Sequence, residues 1–335
     1  MANLAILKRI PIPAIVDPDR TLHIIKYLER HLLELKSRQS LLLPDLIKDN
    51  GTIMIFSDYG GESSTSRYLT YSFLLAARDD MAFWFDESKR LRNIHNLDTP
   101  YKEIAFKDLN YGPIGRCLGD WLRLADFVRG LLFTLVVSKR VVSTTGRQDK
   151  AVMRELSHTL SEVGLGVWKP PVAEKMIRII HIVCYWISVL SVNGQKIFWM
   201  TDDDAITANE DKVEALGRLF ASILTIYTAN KYPVLGYAKP FSDSNKACNL
   251  NDLLSVPDLA AGAVESLFTI KRLKREPEVK EGTNTVLEWL AHQGIGLKKH
   301  AMLVEVRDDG QLHTAMLEFK VIDEKRDVVY IPVWL

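Results

Sequence analysis

Apolar residues at Leu22, Ile25, Leu28, Leu32 and Leu35 recur at steps of three or four, with charges between them. This period predicts an amphipathic helix over 18–40. After the polar turn Lys48-Asp49-Asn50-Gly51 comes a β-rich run, 52–56, that stops at Ser57-Asp58-Tyr59-Gly60-Gly61. That is a strand followed by a turn, and 68–76 reads as its hairpin partner. Residues 79–100 read as a polar connection, 101–106 as a short strand, 117–128 as a helix and 131–142 as an apolar, β-branched strand. Over 148–192 the pattern predicts two helices, interrupted by Gly164, Gly166 and Pro170-Pro171. A short strand at 196–201 ends in Asp202-Asp203-Asp204. A helix at 212–227, a short strand at 233–237 and a helix at 256–268 follow. Beyond a charged link at 271–282 the chain predicts a helix at 283–292. A hairpin then joins 302–306 to 313–321 across Asp308-Asp309-Gly310, and a last strand spans 328–333. No internal repeat is present.

Hairpins first and helix-linked strands later predict an α/β fold, a mixed sheet covered by helices. We divide the chain into an N-terminal helical extension (1–50), a core (51–270) with a helical insertion (148–192), and a C-terminal helix and β-hairpin addition (271–335). Apolar residues make up 47% of the 335, enough for a sizeable core. Lys and Arg number 43 against 42 for Asp and Glu, so any grip on a polyanion must come from local patches. Lys89-Arg90-Leu91-Arg92 and Lys271-Arg272-Leu273-Lys274-Arg275 are such patches, or solvated faces. The N-terminus has no signal-peptide hydrophobic region, and the apolar stretch 176–192 carries Arg178 and His181. A cytoplasmic protein with no membrane span is expected. Three scattered cysteines point to neither disulfides nor a structural zinc site.

The candidate chemistry lies in the acids. Carboxylates at strand ends suit hard divalent cations, because the sheet aims them and the loops leave room for substrate. Asp58 follows one strand and Asp202 another. On neighbouring parallel strands their backbones would be ~4.8 Å apart, close enough to share an ion. Asp58 also reads as a turn residue. The triplet Asp202 to Asp204 also reads as a cap on the next helix. Asp258, in Ser255-Val256-Pro257-Asp258, matches a capping box. No phosphate-binding loop, dinucleotide glycine fingerprint or nucleophile elbow is present.

Taken in order, several segments resemble a widespread bacterial family of ribonuclease H-like proteins. The family's first strand ends in Asp-x-Ser-Gly, matched by Asp58-Tyr59-Gly60-Gly61 with Gly60 in the serine position. A hairpin strand follows, and then Glu103-Ile104-Ala105-Phe106-Lys107 echoes a Glu-Leu-Lys segment. Val136-Val137-Ser138-Lys139 matches a strand ending in Asp-Lys, with Ser138 replacing the acid. Trp199-Met200-Thr201-Asp202 matches a later acidic strand end. Pro257-Asp258-Leu259 matches an Ala-Asp-Leu helix start. The match spans about 51–270.

The resemblance implies a ribonuclease H-like sheet whose first and fourth strands are adjacent and parallel. It implies a Mg²⁺- or Mn²⁺-dependent nuclease, or a related phosphodiester hydrolase, acting on nucleic acid. Asp58, Asp202 and Asp258 would hold metal, with Asp203 as the alternative to Asp202. Lys139 would assist with substrate, Lys107 could touch phosphate, and Glu62 could add a carboxylate. The expected setting is bacterial defence or a mobile element. The rival is a non-catalytic interaction component on the same fold, binding a protein partner through aromatic additions at Trp84, Trp168, Trp186, Trp289 and Trp334.

Overall fold

A computed structural model describes residues 12–98, 101–202, 204–240, 244–272, 281–322 and 328–334. In chain order the elements are α1 (His23–Ser37), β1 (Thr52–Gly60), β2 (Tyr68–Ala77), α2 (Ala82–His95), α3 (Gly112–Ala125), β3 (Gly130–Ser138), α4 (Lys150–Glu162) and α5 (Pro170–Leu190). They continue with β4 (Lys196–Thr201), α6 (Glu210–Tyr227), β5 (Leu235–Ala238), α7 (Ser244–Arg272), α8 (Glu281–Leu290), β6 (Leu297–Val306), β7 (Leu312–Val321) and β8 (Val328–Trp334).

The strands form one eight-stranded mixed sheet in the order β5-β4-β1-β2-β3-β6-β7-β8. β1, β2 and β3 make an antiparallel meander. β4 lies parallel to β1, β5 parallel to β4, and β6 parallel to β3. The first and fourth strands are thus adjacent and parallel, and the fold class is α/β, ribonuclease H-like. The C-terminal hairpin β6–β7 is extended by β8, and all three strands continue the same sheet through β3.

Strand periodicity sorts side chains between two cores. Ile53, Ile55, Ile197 and Trp199 join residues of α1, α5 and α6 on one face. Met54, Phe56 and Met200 join residues of α2, α3, α7 and α8 on the other. The helices read in 148–192 are α4 and α5. Every residue of α5 from Met176 to Leu190 is buried, because the helix is the crossover between the parallel strands β3 and β4. No helix among the described residues is long and apolar enough to cross a membrane. Arg178 is charged inside the core and paired there with Glu174.

Four readings of the pattern are corrected. Residues 82–95, taken as connection, are helix α2. Its buried positions are Trp84, Ser88, Leu91 and Arg92, so a serine and an arginine hide the apolar stripe. Residues 101–106 are not a strand. The Lys102 carbonyl accepts from the Arg92 guanidinium and the Phe106 N–H donates to Asp258, so side chains satisfy the backbone that a neighbouring strand would otherwise pair. β1 runs on through Asp58 to Gly60, and Asp58 pairs with Ser72 on β2. Asp58 is therefore a strand residue, and the turn falls at Gly61, whose φ is 86°.

Finally, α7 begins well before Val256, and Pro257 lies inside it. The capping box is not made. Ser255 Oγ instead donates to the Asp252 carbonyl and accepts from Trp121 Nε1. A proline inside a helix removes one backbone bond, which is why the sequence pattern places a helix start there.

Candidate functional site

β1 and β4 bring two carboxylates together at their C-terminal ends. Ser57 pairs with Thr201, and the Asp202 N–H continues the ladder by donating to the Ser57 carbonyl at 3.0 Å. Asp58 and Asp202 are therefore register neighbours. Both continue the alternation of Met54, Phe56 and Met200, which places them on the face covered by α7. From that helix comes Asp258. The chain leaves β1 by the hairpin to β2 and leaves β4 through α6 to β5 on the other side. At such a reversal, open α/β sheets commonly bind ligands beside the strand ends.

The acids feel one another. Burial pushes the Asp58 carboxyl well above the usual carboxylate range, and the charges of Asp258 and Asp202 push it further. The Tyr59 backbone N–H pulls it partly back. Burial also raises Asp258, to about 7, opposed by the hydrogen bond from the Phe106 N–H and increased by Glu103 and Asp202. That bond is 2.6 Å long and joins α7 to the 3-10 turn Phe106–Asp108. Glu103, just before this turn, acts on both Asp58 and Asp258. It is a fourth carboxylate that the spacing of acids along the chain does not reveal. The signal was the Glu103 to Lys107 echo of the family segment.

The segment carrying Glu103 is held by a buried ion pair. Arg92 of α2 reaches Asp252 of α7, both almost without exposure, and donates to the Leu97 and Lys102 carbonyls. Tyr101 Oη also donates to Asp252. This Arg92 is the one in the basic run at 89–92, so it is not open to a polyanion, whereas Lys89 and Arg90 are exposed. The run at 271–275 lies outside the residues whose side chains are described.

Gly60 leaves room for the Thr70 side chain of β2. A Cβ there would meet Thr70 Oγ1 at 2.6 Å, and that hydroxyl donates to the Ala261 carbonyl.

The other candidates lie elsewhere. Lys139 follows Ser138 at the end of β3, where its Nζ donates to the Ser63 carbonyl. In register, Asp58 faces Ser72 and Ser72 faces Thr134. Lys139 is thus five positions further along β3, roughly 16 Å at ~3.3 Å per residue, and is not gathered with the acids. Asp203 lies outside the described residues. Asp204 and Glu62 both accept from Lys175. Asp204 also caps its own turn through the Ile206 N–H. Lys107 is largely exposed, 3.8 Å from Glu103. His181 is a core histidine bonded to Tyr227. Trp84, Trp168, Trp186 and Trp289 are buried, whereas Trp334 is partly exposed and stacks on His313.

Hard oxygen donors such as these suit a divalent cation in kind. Among the described residues, however, no group of three or more His, Cys, Asp or Glu side chains is closely enough gathered to hold a metal ion.

No family model and no curated protein matches the chain. One solved structure is matched. It is the crystal structure of ribonuclease H2 from Pyrococcus horikoshii OT3, with a TM-score of 0.32 and 14% identity. The match covers 70% of this chain and 85% of that one. At this level it adds nothing to the site, and the fold class rests on the strand order.

Proposed function

We propose that the protein is a Mg²⁺- or Mn²⁺-dependent nuclease or related phosphodiester hydrolase. The observation that supports this reading is that Asp58 and Asp202 are register neighbours at the C-terminal ends of adjacent parallel strands, with Asp258 of α7 near enough for its charge to raise the Asp58 pKa. Asp58 and Asp202 would be the principal ligands, with Asp203 as the alternative to Asp202. Asp258 and Glu103 would complete the set. A divalent ion supplies an activated water and charge stabilisation on a leaving oxygen.

The protein's own residues aim and desolvate the acids. The Phe106 N–H fixes one oxygen of Asp258, and the Arg92–Asp252 pair holds the segment that carries Glu103. Lys107 beside the acids and Lys139 further along the strand ends would meet the phosphates of a nucleic acid crossing toward β3. In this reading 51–270 is the catalytic unit, with 1–50 and 271–335 as additions. The setting would be cytoplasmic, in bacterial defence or a mobile element.

The test is Mn²⁺-dependent cleavage of single- and double-stranded DNA and RNA, run beside Asp58→Ala. Cleavage by the wild type and its loss in a folded variant are expected. Absence of both cleavage and any Mn²⁺-induced rise in thermal midpoint would overturn the reading.

One observation favours the second reading, a non-catalytic interaction component. An oxygen of Asp258 is already committed to the Phe106 N–H. That reading expects no metal-dependent shift.

A further inference from the structure

The sheet parts between β6 and β7. The two strands pair from Val306 and Leu312 as far as Ala301 and Leu317. Before Ala301, β6 stays on β3, with His300 beside Phe133 and Lys299 beside Leu132. After Leu317, β7 stays on β8, with Glu318 beside Ile331 and Phe319 beside Tyr330. Gln293 occupies the β6 side of this fork. Its side-chain amide accepts from the Lys299 N–H at 2.7 Å and donates to the Lys299 carbonyl at 2.8 Å. The amide therefore stands where a β7 residue would pair.

A cavity of about 350 Å³ opens at the fork. Leu35 and Leu42 line it from the side of α1, Leu290 and Ala291 from the side of α8, and Met316 and Phe319 from β7. The polar groups that reach its interior are engaged with the protein. Lys299 Nζ donates to the Trp289 and His292 carbonyls and lies 2.7 Å from Asp126 Oδ1. His300 Nε2 donates to the Leu42 carbonyl, and Ser40 Oγ to the Leu35 carbonyl. A cavity lined in this way offers water few partners and favours hydrocarbon. Glu318 and Lys320 also line it. They lie 3.5 Å apart, and each side chain is more than half exposed, so they form its rim.

We propose that this fork binds an amphipathic carboxylate of the fatty-acid class, with the chain in the cavity and the head on the Lys320 ammonium. The volume falls within the ~300–1,000 Å³ of small-molecule sites. Burial of the chain supplies the affinity. The head goes to Lys320 because the Lys299 ammonium is already held by two carbonyls and a carboxylate. There it takes the place of Glu318, an exchange of one exposed carboxylate for another, so it orients the ligand more than it tightens it. Strands β2 and β3 separate β6 from β1 and β4, and the proposal is independent of the metal reading.

The test is calorimetric titration of the purified full chain with decanoate, below its micelle concentration, beside decanol. Decanoate should fill one saturable site with a negative heat-capacity change and should raise the thermal midpoint. Ala291→Trp, which places a ring in the cavity, should abolish binding of both ligands. Lys320→Gln should weaken decanoate about 2- to 5-fold and leave decanol unchanged. A decanoate carrying a diazirine at the chain end decides the matter should Ala291→Trp fail to fold. On irradiation it should label the wild type within 35–42, 290–301 or 316–320.

No saturable binding of decanoate overturns the site, and so does labelling confined to other segments. Undiminished binding to a folded Ala291→Trp puts the chain outside the cavity and also overturns it. Unchanged decanoate affinity in Lys320→Gln, or an equal loss for decanol, overturns the assignment of the head.

Discussion

At Asp58 the chemistry and the fold pull in opposite directions. The carboxyl is buried beside two other acids, which disfavours its charge, yet its backbone lies within a fully paired strand. Burial likewise disfavours the charge of Asp258, on helix α7, whose pKa stands at about 7 in the folded chain, against roughly 3.9 for an unperturbed aspartate. Such a group binds its proton more tightly when folded. Its contribution to stability is therefore greatest below pH ~4 and is lost as pH rises through about 7. Stability without added metal should fall across that window. Asp58→Asn keeps an acceptor for the Tyr59 N–H and removes one of the crowded charges. We expect it to raise unfolding stability by about 1–2 kcal/mol at pH 8 and to change it little at pH 4. Urea unfolding at the two pH values measures this. A loss of ~1 kcal/mol at pH 8 instead would mean that Asp58 serves the fold through its hydrogen bonds. The sequence alone left these roles undecided, because a turn aspartate and a ligand aspartate are the same residue until its neighbours are known.

The elements were mostly legible where one face is uniformly apolar. α1, α6, β3, β4 and the β6–β7 hairpin follow the period-3.6 or period-2 pattern closely. Misreadings occurred where a polar residue does core work. α2 is hidden in the sequence because Arg92 occupies a buried position, where it meets Asp252, 160 residues away, and the Leu97 and Lys102 carbonyls. α7 was shortened because Pro257 imitates a helix start. Both helices meet at the same ion pair, which also anchors the segment bearing Glu103. Arg92→Met should therefore cost about 3–5 kcal/mol, since it leaves Asp252 buried without its cation. A paired Arg92→Met, Asp252→Leu variant should recover much of that loss. Chemical unfolding of the single and double variants is the measurement. Equal losses in both would show that packing, not charge, sets the cost.

For the whole molecule, the eight strands make one sheet with a helical layer on each face. β6 pairs with β3 from Gly130 to Val137, so the C-terminal strands complete the sheet that the first three begin. A chain ending at residue 280 would expose the apolar edge of β3 and lose α8 from its packing against α7. We expect that shortened chain to be insoluble or unfolded, as judged by size exclusion and circular dichroism. A soluble, cooperatively folded product would show that 281–335 is dispensable to the core. The sequence by itself determined which segments are strands and helices wherever burial is periodic. It also determined that the acids fall at the ends of apolar runs, because those properties are local to the chain. Only the tertiary structure decided that Asp58 and Asp202 are register neighbours on one face and that Asp258 reaches them from the middle of a helix. It alone decided, too, that Glu103 joins them and that β6 and β7 part around a cavity. Each of these depends on strand order and helix placement, and those are set by contacts between residues far apart in the chain.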